Sequence, residues 1–153
     1  MLRRLQENFA FNHLFKGKAL IIYGARQVGK TTFCEQLLKR IDKKTLRING
    51  DESDTREMFR DANTAKLKRL IGGHEILFID EAQRLEEVGL MIKIIVDQLQ
   101  QVQVIATGSS SFELAGSINE PLTGRKYVMH LSPFSYHELV LNTDFITEER
   151  LLP

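Results

Sequence analysis

The chain has 153 residues, 42% hydrophobic and 27% charged, with 10 Gly, 3 Pro and one cysteine, Cys34. That is one ordinary globular domain's worth of sequence. It excludes collagen-like and low-complexity chains, an internal disulfide and a four-cysteine zinc site. Twenty-one Lys and Arg against 20 Asp and Glu leave a net charge of +1, which supports neither a nucleic-acid partner nor an anionic membrane surface.

Residues 1–17 hold two arginines, but Glu7, Asn8, Asn12 and His13 interrupt any signal-type apolar core. No run approaches the roughly 20 apolar residues that span a bilayer, so a cytoplasmic protein without a membrane partner is expected. Phe9, Phe11 and Phe15 either cover a sheet edge or pack on a bound base. Residues 18–23 (KALIIY) are continuously apolar, as in a strand buried on both faces. They run into 24–31 (GARQVGKT), followed by a helical pattern through Phe33, Leu37, Leu38 and Ile41. Residues 45–49 alternate as a second strand, closed by Asn49-Gly50-Asp51. Residues 53–71 read as a moderately amphipathic helix with a break, ended by Gly72-Gly73.

Residues 75–80 (EILFID) form another buried-type strand. Val88, Met91, Ile92, Ile95, Val96 and Leu99 then recur at offsets of three and four, predicting a helix over 86–101. Residues 102–107 (VQVIAT) predict a strand, with Ser109, Ser110 and Ser111 opening a helix after it. A last strand over 127–131 precedes a helix-like stretch, 134–141. Strands alternating with helices predict an α/β domain with a parallel sheet covered on both faces.

Gly24 to Thr31 fits G-x-x-x-x-G-K-[ST] between a predicted strand and a predicted helix, the context a phosphate loop requires. Gly24 and Gly29 allow a tight turn close to phosphate oxygens. Gly24 and Ala25 open the binding loop, and backbone N–H groups from about Arg26 through Gln27, Val28, Gly29, Lys30 and Thr31 to Thr32 can surround the anion, aided by the helix N-terminus. The Arg26 and Gln27 side chains are outside the motif. Lys30 supplies a point charge between the β- and γ-phosphates, and the Thr31 hydroxyl is a candidate Mg²⁺ ligand.

Asp80 and Glu81 follow four apolar residues and fall at the carboxyl edge of a parallel sheet, where ligands of such folds bind. Asp80 suits Mg²⁺, directly or through water. A second carboxylate, Glu81, suits a group that orients attacking water, which favours hydrolysis over transfer to a small molecule. Thr107 and Ser109 either sense the γ-phosphate or, for the serines, cap the next helix. Arg125 is a candidate charge-stabilising arginine, in cis or in trans, or a surface residue in a strand-entry turn. The basic residues Lys39, Arg40, Lys43, Lys44 and Arg47 fit a solvated helix end better than a nucleic-acid face. Four scattered histidines lack metal-ligand spacing. Cys34 reads as a small buried hydrophobe.

Together, YGARQVGKTTF, EILFIDEAQRL, VIATGSSSFEL and LTGRKYVMHLSPFSYHEL resemble the ATPase domain of a widespread prokaryotic AAA family of P-loop ATPases. In that family the ATPase domain usually precedes a C-terminal domain of unknown function. The resemblance implies a P-loop NTPase three-layer α/β/α sandwich, sheet order 5-1-4-3-2, with ATP and Mg²⁺ as cofactors. It assigns Lys30, Thr31, Asp80 and Glu81 the roles above and the sensor part to Thr107–Ser109. It also implies an N-terminal segment 1–17 packing on the core, a core over 18–141, and at 142–153 the start of a truncated region without the usual helical lid. Two functions follow: ATP hydrolysis coupled to conformational change, or an ATP-occupancy switch that orders a partner-binding surface. Self-association is left open.

Overall fold

In a computed structural model of the chain, residues 6–25, 29–109 and 121–131 are described. Five strands form one parallel sheet: β1 (Ala19–Tyr23), β2 (Thr45–Asn49), β3 (Ile76–Asp80), β4 (Gln103–Gly108) and β5 (Lys126–His130). Their order is β2-β3-β4-β1-β5, the order the resemblance implies. The central strands β1, β3 and β4 bury nearly every side chain, and for that reason they read as unbroken apolar runs. β2 and β5 lie at the edges and are only partly covered.

Strand alternation divides the core in two. Leu20, Ile22, Ile76, Phe78 and Ile105 face a layer made by α1 (Glu7–Asn12) and α2 (Lys30–Lys39). Ile21, Tyr23, Leu77, Ile79, Val104 and Ala106 face the opposite layer, α3 (Ser53–Met58), α4 (Thr64–Ile71) and α5 (Val88–Gln98). α2 buries Phe33, Cys34, Leu37 and Leu38; α5 buries Val88, Met91, Ile92 and Ile95 on one stripe. Each such apolar side chain contributes about 1.5–3 kcal/mol when fully buried.

The helical break expected within 53–71 falls between Met58 and Thr64. There the Asn63 side chain accepts from Lys66 N at 2.9 Å and caps α4, which stops at Gly72 with φ 57°. The long helix expected over 86–101 is shorter. Glu87 takes φ 51°, so α5 starts only at Val88, and a 3₁₀ turn, Ala82–Arg84, follows β3. The helix after Ser109 and the stretch 134–141 lie outside the described residues.

α1 was not legible as a helix. It has six residues, no side-chain cap, and buries only Ala10. It covers part of the α2 layer, with Phe11 packed against the core under the Arg40 guanidinium. Phe9 stacks on His13, whose ring meets Tyr127 of edge strand β5. The Phe15 amide donates to Gln103 Oε1 at 2.6 Å, which puts Phe15 at the amino ends of the strands, away from the phosphate loop. No helix among the described residues is long and apolar enough to cross a membrane.

Candidate active site

All five strands run the same way, so the residues after β1, β3 and β4 meet along one edge. Gly24 N donates to Gly108 O at 3.2 Å, joining the start of the phosphate loop to the end of β4. Gly29 caps α2 at φ 89°, a left-handed conformation that glycine adopts freely. Arg26, Gln27 and Val28 lie outside the described residues. Lys30 opens α2 and is only 6% exposed. Its Nζ donates to Gly24 O at 3.0 Å and Ala25 O at 2.9 Å, so two loop carbonyls hold the buried ammonium. Thr31 and Thr32 stand exposed on the first turn of α2.

Asp80 ends β3 and accepts from both sides. Thr31 Oγ1 donates to Oδ2 at 2.8 Å and Thr107 Oγ1 to Oδ1 at 2.6 Å. Thr107 in turn accepts from Glu81 N at 3.1 Å. One connected set of hydrogen bonds therefore runs Thr31–Asp80–Thr107–Glu81 across three elements. Thr107 is completely buried at the end of β4, and Ser109 follows directly. A hydroxyl and a carboxylate make a hard oxygen donor pair that fits Mg²⁺. No group of three or more His, Cys, Asp or Glu suited to a metal occurs among the described residues. Phosphate oxygens and water would have to complete such a shell.

Glu81 has φ 52° and ψ 50°, a left-handed backbone that non-glycine residues seldom adopt. The turn after β2 packs on it. Gly50 N donates to Asp80 O at 2.8 Å, and a methyl group at Gly50 would collide with the Glu81 carbonyl oxygen. Asp51 N donates to Asn49 Oδ1 at 2.9 Å, Arg56 Nη1 donates to Gly50 O at 2.9 Å, and both bonds fix that turn. The Glu81 carboxylate accepts from Gln83 Nε2 at 2.7 Å. Sequence reasoning passed over both Gly50 and Gln83. For the first, the sequence showed only its membership of the Asn49-Gly50-Asp51 turn, not its contact with Glu81.

Arg125 is elsewhere. It immediately precedes β5, whose first residue, Lys126, pairs with Ala19, the first of β1, so it sits at the amino edge, opposite the phosphate loop. Its Nε donates to Asp97 Oδ1 at 2.8 Å, and this bond holds the Asp97 carboxyl below its usual range. Of the alternatives offered for Arg125, this position fits the surface residue in a strand-entry turn, because a residue just ahead of a parallel strand lies at the end away from the carboxyl edge. Arg125→Ala is expected to keep ATP affinity and turnover within about twofold of wild type, checked by nucleotide titration and phosphate release.

Arg40 pairs with Glu7, Lys43 with Glu75 at 3.2 Å, and Arg47 with Glu35 at 3.0 Å. Three of the five basic residues of the cluster are therefore paired with acidic neighbours. Cys34 is buried, and desolvation foremost, helped by Asp80 and Glu35, pushes its thiol up, so it packs as a neutral group. A concavity of about 400 Å³ lies between Phe59, Ala62, Leu90, Met91 and Ile94, edged by Asp61 and Glu87. None of the described candidate residues lines it. A phosphate site made of backbone N–H groups at a helix N-terminus needs no deep cavity.

A family described as "AAA domain" matches residues 16–140. No curated protein matches the chain. Among solved structures, Pif1 helicase from Candida albicans superposes with a TM-score of 0.60 at 11% identity, covering 90% of this chain and 41% of that one. The Walker-type ATPase of Pyrococcus abyssi gives 0.59 at 17%, covering 100% and 60%. Bacteroides Pif1 bound to single-stranded DNA gives 0.60 at 14%, covering 89% and 43%. At these identities the likeness is one of fold, that of P-loop ATPases. The chain spans about half the length of these structures.

Proposed function

The chain belongs to this AAA-domain family, and on that premise we propose that it binds ATP and hydrolyses it with Mg²⁺, coupling hydrolysis to conformational change. The Thr31–Asp80–Thr107–Glu81 hydrogen-bond set beside Lys30 is the observation that carries the reading. Transfer of the γ-phosphoryl group asks the protein mainly for positioning and charge stabilisation. Lys30 neutralises phosphate charge, and the amides of the loop and the first turn of α2 orient the anion. Thr31 and Asp80 hold the metal, which when bound screens the phosphate oxygens. Glu81 orients the attacking water. Thr107, buried against both carboxylate-bearing residues, relays the state of the γ-phosphate, with Ser109 beside it.

Adenine rather than guanine rests on the family resemblance, together with the lack of an Asn-Lys-x-Asp segment in the sequence. The helicase neighbours raise nucleic acid as a partner, but a net charge of +1 and the paired basic cluster give it no support.

Phosphate release from Mg·ATP, measured for wild type and Glu81→Gln, tests the reading. Turnover falls at least tenfold in the variant while ATP stays bound. Turnover that is unmeasurable in wild type and unaffected by the substitution would instead favour an ATP-occupancy switch.

A further inference from the structure

Gln83 stands two residues past Glu81 in the 3₁₀ turn, and its amide is used on one side only. Nε2 donates to Glu81 Oε2 at 2.7 Å, while Oε1 is buried and has no hydrogen-bond partner. Exchanging the amide's oxygen and nitrogen would set oxygen against a carboxylate oxygen, so the carboxylate fixes this orientation. A buried carbonyl without a partner costs folding free energy that an apolar side chain of the same length would not. The turn carries one further unfavourable feature, the left-handed backbone of Glu81, and Gly50, by lacking a side chain, leaves room for the Glu81 carbonyl there. Unfavourable local choices at Glu81 and at the side chain bonded to it are characteristic of a group held in place for chemistry.

We infer that Gln83 is a positioning residue for Glu81, an inference that rests on the reading of Glu81 as the water-orienting carboxylate. Nε2 ties down Oε2 and leaves Oε1 as the oxygen that accepts from the attacking water. Without the tie the carboxylate rotates about its last bonds, and only part of its population faces the γ-phosphate. The loss then falls on the chemical step, because the hydrogen bond of Gln83 goes to the Glu81 carboxylate and not to the described residues of the phosphate loop or α2.

The test uses Gln83→Met, which keeps the length and bulk of the side chain but has no N–H, alongside Gln83→Ala. Both are expected to lower kcat about tenfold, with ATP affinity and KM within twofold of wild type. Gln83→Met is expected to melt at or above the wild-type temperature, since it removes the unpaired oxygen. A Gln83→Met protein that turns over at the wild-type rate overturns the inference. So does a loss of kcat that arrives only with weaker ATP binding and a lower melting temperature, the pattern of a structural role. If Glu81→Gln slows hydrolysis and Gln83→Met does not, the inference alone fails. If Glu81→Gln has no effect, the reading of Glu81 fails and this inference with it.

Discussion

Lys30→Ala weakens ATP binding by about 10²–10³-fold while the nucleotide-free protein melts within a few degrees of wild type. The two halves of this expectation have different causes. A fixed cation against phosphate oxygens in a site that partly excludes water is worth about 3–4 kcal/mol, and that produces the loss of affinity. In the free protein the same ammonium is 6% exposed and, among the described residues, is held by the carbonyls of Gly24 and Ala25. Burying it costs desolvation that two neutral carbonyls only partly offset, so its removal nearly cancels. Titration with a fluorescent ATP analogue and a melting curve on the same preparation check both. A variant that binds ATP as wild type does would remove Lys30 from the phosphate site. One that binds normally only at low temperature would make Lys30 a structural residue.

Gly50→Ala is expected to lower stability by about 1–3 kcal/mol, the usual range for overpacking. For a chain of this length that is a fall of about 2–12 °C in melting temperature. The added methyl meets backbone, the Glu81 carbonyl oxygen, with Arg84 Cβ only 3.1 Å away, so no flexible side chain can move aside. Gly50 N is also tied to Asp80 O at 2.8 Å, so relief must come from the Asp80–Glu81 peptide or from the end of β2. A displacement of about 1 Å at a water-orienting group costs about 10²-fold in rate. ATP affinity stays within about threefold, because the phosphate loop and α2 are not in the collision. Calorimetry with phosphate-release kinetics decides the matter. Near-normal turnover in a destabilised Gly50→Ala protein would show that the backbone position of Glu81 does not set the rate.

The parts of this molecule that sequence reading captures are those with a rigid physical grammar. A strand buried on both faces must be apolar at every position, which made β1, β3 and β4 visible. The spacing of Gly24, Gly29, Lys30 and Thr31 follows from how closely backbone must approach phosphate. The strand order came from resemblance, since periodicity says nothing about which strands are neighbours. α1 escaped because six residues with one buried alanine carry no periodic signal. Gly50 escaped because its function depends on a strand that follows some twenty-five residues later. Gln83 was hidden by its turn, where neither helical nor strand spacing says which way a side chain points. For Arg125 the sequence left two alternatives, and strand direction bears on them: in a parallel sheet the residue ahead of a strand and the residue behind it lie at opposite ends.

β1 draws its neighbours from far along the chain. Leu20 pairs with Ile105 on one side and Tyr127 on the other, while β2 and β3 pair with each other. At about 5–20 residues per second on a ribosome, the segment KALIIY therefore waits several seconds for its first partner. Throughout that time its Ala19–Tyr23 part is an apolar, uncharged strand with two open edges, the kind of segment that pairs with other chains. The nascent chain cannot use nucleotide to protect itself, because Gly24 is anchored through Gly108 and the cradle does not exist before β4 has emerged. Any fragment ending before residue 103 should thus be both unable to hold ATP and prone to precipitate, and the first half of this protein depends for its solubility on how quickly the second half follows.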